Sequence, residues 1–196
     1  MVSRALARAA LVVLATTLPS AGCSSESKKP IVMDWMTVDY TSRPATLDET
    51  VRSTDAIIVG RAQFSRTDHN ESRTLRTVYA VTIADLIRSH PALTGKRRIE
   101  VYQIGGDIDE GNRIKRQVQR GFPPLVPGQD LVLFLNWNPQ LGAFEVIWPE
   151  SVYVLGSDGT VHAYGEPLRL AKAQDGRRAN EFIDNLKRSV TAQGLR

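Results

Sequence analysis

Apolar residues recur along this chain at two different periods, and the change of period divides it. Between Ala56 and Tyr164 they alternate with polar residues or gather in short β-branched runs, as in strands. After Ala179 they follow a 3.6-residue spacing, as in a helix. The first strand signal is Ala56-Ile57-Ile58-Val59-Gly60, continued by Arg61 to Phe64. Strand character resumes at Thr77 to Ile87, beyond the polar cluster Asp68 to Ser72, and His90-Pro91 ends it because a residue before proline avoids the helical region. Arg98 to Ile104 alternates again, and Leu131 to Leu135 is the most apolar stretch. Phe144 to Trp148, Val152 to Leu155 and Thr160 to Tyr164 predict shorter strands, with Gly156-Ser157-Asp158-Gly159 as a hairpin turn between the last two. From Ile57, Val59, Val81, Ile83, Val101, Leu133 and Leu135 a single barrel core is expected.

Two helices frame these strands. Thr46 precedes Glu49 at capping-box spacing, and Leu47 with Val51 forms an i, i+4 apolar pair, which predicts a short N-terminal helix. Near the end, Ala179, Phe182, Ile183, Leu186 and Val190 form one stripe opposite Arg178, Glu181, Asp184 and Lys187, with Gly194 as the stop. Phe182, Ile183 and Leu186 should pack the helix on the strands and leave Arg178 and Lys187 in solvent. The expected fold is mainly β: a small Greek-key barrel over 46–165 with a helical cap over 166–196. One stretch breaks the pattern. From Gly105-Gly106 to about Gln119 the sequence is polar and lacks apolar periodicity, the profile of a mobile flap, and Pro123-Pro124 and Pro127-Gly128 mark its return.

The start of the chain has another logic. Arg4 and Arg8 precede an apolar run from Ala9 to Leu18, and Ser20-Ala21-Gly22 place small residues before Cys23, the single cysteine. That is the layout of a secretory signal over 1–22, too short for a membrane span. Residues 23–45 read as a tether, polar from Ser24 to Lys29, with Ile31, Val32, Trp35 and Met36 suited to docking on the domain. A lone thiol in an exported chain is exposed to oxidation. Removing the signal takes away two cations and leaves 23 basic against 21 acidic residues. So small an excess, spread over Lys96-Arg97-Arg98, Arg113 to Arg120 and Arg177-Arg178, argues against nucleic acid as a partner.

The segment around Cys23 resembles the lipobox of bacterial lipoproteins, with Ser20 at a position that is usually apolar. The resemblance implies cleavage before Cys23, a diacylglyceride on its sulfur, acylation of its amino group, and a membrane-anchored place on the extracytoplasmic side of the envelope. Three further segments resemble an OB-like barrel of bacterial lipoproteins related to the netrin-like modules of the metalloproteinase inhibitors. These are Asp55-Ala56-Ile57-Ile58-Val59-Gly60, Leu93-Thr94-Gly95-Lys96 with Gly105-Gly106 beyond it, and Pro127-Gly128-Gln129-Asp130 leading into Leu131 to Leu135. The zinc-chelating device of those inhibitors does not carry over, since it needs a free amino-terminal cysteine and disulfides.

Chemistry is sparse. His69, His90 and His162 are the only histidines, and none shares a helical i, i+4 spacing with another ligand. Asp68-His69 beside Ser65 and Ser72 supplies triad residue types without a Gly-x-Ser-x-Gly elbow. Asp107-Ile108-Asp109-Glu110-Gly111-Asn112 resembles the start of a calcium loop but lacks the closing Glu. Trp137, Phe144, Trp148, Tyr153 and Tyr164 are candidates for a stacking face. No catalytic residue, cofactor or metal site is expected, and Cys23 is the one candidate site residue, as lipid anchor. The leading expectation is a non-enzymatic, lipid-anchored envelope module that binds a protein or glycan. An envelope protease inhibitor acting through a barrel-edge loop, or a hydrolase using His69 or His162, are the alternatives.

Overall fold

The computed structural model describes residues 29–37, 44–69, 74–165 and 172–195. Cys23, the signal and the start of the tether lie outside the described residues. The protein is mainly β. Its strands are β1 (Ile31–Met36), β2 (Ala56–His69), β3 (Leu75–Arg88), β4 (Arg98–Ile104), β5 (Gly106–Asp109), β6 (Ile114–Gln119), β7 (Asp130–Asn138), β8 (Ala143–Val146), β9 (Val152–Leu155) and β10 (Val161–Ala163). Two α-helices are described, α1 (Leu47–Ser53) and α2 (Ala179–Ala192). No helix among the described residues is long and apolar enough to cross a membrane.

Seven strands form one sheet in the order β10-β9-β7-β2-β3-β4-β8. Strand β8 pairs on both sides, parallel with β4 and antiparallel with β7. A second sheet of three strands has the order β1-β6-β5, with β1 and β6 parallel.

Ala56 to Gly60 of β2 and Leu131 to Leu135 of β7 are buried on both faces, which explains why these stretches read as unbroken apolar runs rather than alternations. On β7, Leu131, Leu133 and Leu135 enter one core cluster with Ala56, Ile58, Tyr79, Val81 and Val101. Val132 and Phe134 enter the other, beneath α2. The single core expected from the sequence is therefore two. Ile57 and Val59 point to the helix side, and their neighbours Ala56 and Ile58 fill the cluster that Val81, Val101, Leu133 and Leu135 share. Ile83 is only partly buried at its edge. Gly60 marks a register shift between β2 and β3, where a Cβ would lie 2.7 Å from the Thr82 carbonyl oxygen.

Both helices dock on the second cluster. Phe182 and Leu186 are fully buried and Val190 nearly so, with Ile183 packed at the margin. The Phe182 ring lies 4.9 Å from that of Tyr153. Helix α2 closes in a Schellman motif: the Leu195 amide donates to the Val190 carbonyl and the Gly194 amide to that of Thr191, with Gly194 at φ 68°. Thr46 caps α1 by accepting from the Glu49 amide. At the other end of α1, the partly buried Arg88 guanidinium donates to the carbonyls of Val51 and Thr54, so a cation meets the negative end of the helix. Lys187 is half exposed but not unpartnered, since it meets Asp85 at 2.8 Å.

On the outer surface of the β2–β3–β4 sheet, Arg66 forks onto Glu100 and also reaches Asp68. The Arg66 hydrogen bonds hold the Glu100 carboxyl below the usual carboxylate range. A lowered acid stabilises the fold above its ordinary range, and that contribution is lost as pH falls through the lowered value. Arg66→Gln should raise the Glu100 midpoint, read from its carboxyl carbon by NMR titration, and remove that part of the acid-side loss. An unmoved midpoint would contradict the pairing.

Candidate functional site

The stretch from Gly105 to Gln119, expected as a flap without structure, is a hairpin of β5 and β6 with β1 along its far side. Its glycine pair makes this geometry possible. Gly105 and Gly106 have φ of 102° and 145°, and Cβ atoms there would lie 2.7 Å from the Gln117 carbonyl oxygen and 2.4 Å from Thr77 Oγ1. The hairpin also inverts the usual order of faces. Its buried side carries glutamines: Gln117 accepts from the Leu75 amide at 2.7 Å and donates to Asp34 at 3.0 Å. The opposite face carries Met33, Arg116 and Val118, which the register of β1 on β6 brings into line.

That face forms one wall of a cleft of about 570 Å³, within the range of small-molecule sites. Phe64 and Thr67 of β2 and Thr77 and Tyr79 of β3 contribute to its lining. The remaining wall is Pro123, Pro124, Leu125 and Pro127, whose rings fix φ and hold the backbone preformed. Gln103 pins this wall: it donates to the Pro123 carbonyl at 2.8 Å and accepts from the Leu125 amide at 2.9 Å. The Tyr164 hydroxyl donates to the Pro124 carbonyl. At the rim, Arg116 and Asp107 make two hydrogen bonds to each other, of 2.7 and 2.5 Å. Burial pushes the Tyr79 hydroxyl far above the ordinary phenol range, and the nearby Tyr164 adds to the effect, so Tyr79 is a neutral phenol. The same cause pushes Tyr164 up to about 12. Apolar side chains stay uncovered at the mouth: Phe64 is 56% exposed and Met33 42%.

The residues singled out by type in the sequence lie elsewhere. The carboxylates of the calcium-like run all have protein partners: Asp107 is held by Arg116, Asp109 by Lys29 and Glu110 by Arg113. Among the described residues no cluster of three or more metal-ligating side chains occurs. His69 ends β2 opposite Leu75, and His90 caps the turn at Pro91–Leu93 while stacking near Trp137 and Phe144. His162 has a fuller setting. Its Nε2 is 2.8 Å from Thr160 Oγ1 and its Nδ1 is 3.4 Å from Asp175. The order hydroxyl, imidazole, carboxylate resembles a triad, but Asp158 also takes the Thr160 hydroxyl at 2.7 Å and the Thr160 amide at 3.0 Å, as in an Asx turn. None of these four residues lines either described cavity. Phe144, Tyr153 and Tyr164 are buried in the core, so the expected aromatics do not form a stacking face. A smaller cavity of about 280 Å³ beside Trp137 and Phe144 is lined by Lys96, Arg98 and Glu100.

Sequence reasoning took Pro123, Pro124 and Pro127 as punctuation and passed over Met33 and Phe64. The usable signal was their combination, an apolar Phe late in a strand among polar residues and a proline-rich return from a polar excursion. No protein-family model matches the chain, and no curated protein matches its sequence.

Proposed function

We propose that this protein is an exported, lipid-anchored binding module of the bacterial cell envelope, built on an OB-like Greek-key barrel, with the cleft as its ligand site. The carrying observation is the cleft itself: a preformed space of about 570 Å³ with rigid apolar walls and uncovered apolar side chains at its mouth. The barrel reading is supported by the ladders β2–β3, β3–β4, β4–β8, β8–β7 and β7–β2, which lead from one strand around to itself with β4 and β8 parallel. Export and anchoring rest on the signal-like start and the small residues before Cys23. The non-enzymatic reading is supported by the histidine settings, each of which serves a turn, a cap or a strand end.

The experiment has two arms. Intact-mass analysis of the mature protein should find acylated Cys23 at its amino terminus, and Cys23→Ser should release the folded protein from membranes, because two or three buried acyl chains supply the hold. An unmodified Cys23 would remove the anchor. In solubilised membranes, Phe64→Asp should lose what the wild-type protein retains, lipid or protein. Equal retention would remove the cleft as the site.

A further inference from the structure

From the cleft's hydrogen-bond inventory we infer that its ligand is an acyl chain, or an uncharged hydrocarbon chain of the same slenderness, with its head group left in solvent. This rests on the reading of the cleft as the ligand site and adds the chemistry of what enters. Most of the polar groups along its walls are already committed within the protein. The Pro123 carbonyl accepts from Gln103 and the Pro124 carbonyl from Tyr164. The Leu125 amide donates to Gln103, and Thr77 Oγ1 donates to the Gly105 carbonyl at 2.8 Å. Pro123, Pro124 and Pro127 have no amide to offer. Arg116 and Asp107 satisfy and neutralise each other, so neither end of an ion finds an anchor without breaking that pair.

A peptide backbone entering this space would leave most of its amides and carbonyls unpaired, a penalty that hydrocarbon does not incur. Beside the hydroxyls of Thr67 and Tyr79, the side chains that remain to make contact are Met33, Phe64, Val118, Leu125 and the proline rings, all apolar. Methionine adapts its shape to what it meets, and the prolines hold a fixed wall opposite. The site is thus selective for what it cannot hydrogen-bond.

The test uses the full chain carrying Cys23→Ser, which removes any acyl group of its own as a competitor. Binding of the uncharged dye N-phenyl-1-naphthylamine is followed by fluorescence, and octan-1-ol, decan-1-ol and dodecan-1-ol are used to displace it. Saturable displacement is expected, tightening about fourfold for each added methylene until the cleft is filled. Phe64→Asp and Met33→Asp, both at exposed positions, should each weaken it by about tenfold or more, because a charge is brought to an apolar surface. Leu86→Asp, away from the cleft, should leave it unchanged. Absence of saturable displacement, a flat dependence on chain length, or unaltered binding by both rim variants would overturn the proposal. So would tighter displacement by an apolar peptide than by any of the alcohols. If Phe64→Asp abolishes retention from membranes while no alcohol binds the wild type, the acyl chain falls and the cleft remains the ligand site; if neither effect occurs, both fall.

Discussion

Leu133→Ala should remove about 2–5 kcal/mol of stability, toward the upper end of the range for buried leucines. Leu133 is fully buried and stands on β7 between Ile58 of β2 and Val152 of β9, so ladders on both sides keep the gap from collapsing. A domain of this size has only about 5–15 kcal/mol in total, and the loss is a large part of it. Leu86→Ala is the matched control: Leu86 is 40% exposed on β3, and its replacement should stay within about 0.5 kcal/mol. Urea unfolding of both variants measures the contrast. A loss of less than about 1 kcal/mol at Leu133 would mean that β7 is not central to the core.

Phe182→Ala should cost about 3–5 kcal/mol, although Phe182 lies near the end of the chain. Its ring fills the space between α2 and β9, against Tyr153, which in turn meets Phe134 of β7 at 6.0 Å. A helix of 14 residues is marginal alone, so α2 depends on this docked face. Its amides should therefore exchange at the rate of global unfolding in the wild type and much faster in the variant. Exchange from α2 that is already fast in the wild type would contradict docking.

These two positions also show what the sequence made legible. The stripe through Phe182, Leu186 and Val190 specifies the helix and its buried face together, because period and burial agree. The strands around Leu133 were equally plain, but their faces were not. A strand buried on both sides has no alternation to read, so Ile57 and Val59, buried as expected, are not told apart there from the residues of the other cluster. The hairpin of β5 and β6 escaped for the opposite reason. Gln117 and Gln119 point inward and Val118 outward, so the alternation is present with its polarity reversed, and hydrogen bonds rather than apolar contact bury the inner face. The cleft had no single local signature, because its parts are spread along the chain. Met33 meets Arg116 only through strand register, and Phe64 and Pro124 meet only through the path of the chain between them.

The central claim, that this cleft is where the protein takes hold of its ligand, is tested most directly by photo-crosslinking in intact cells. A photoreactive residue is placed at Phe64 in one strain and at Leu86 in another. A discrete adduct should form from position 64, disappear when Met33→Asp is added, and be absent from position 86. The same adducts from both positions, or none from position 64, would contradict it.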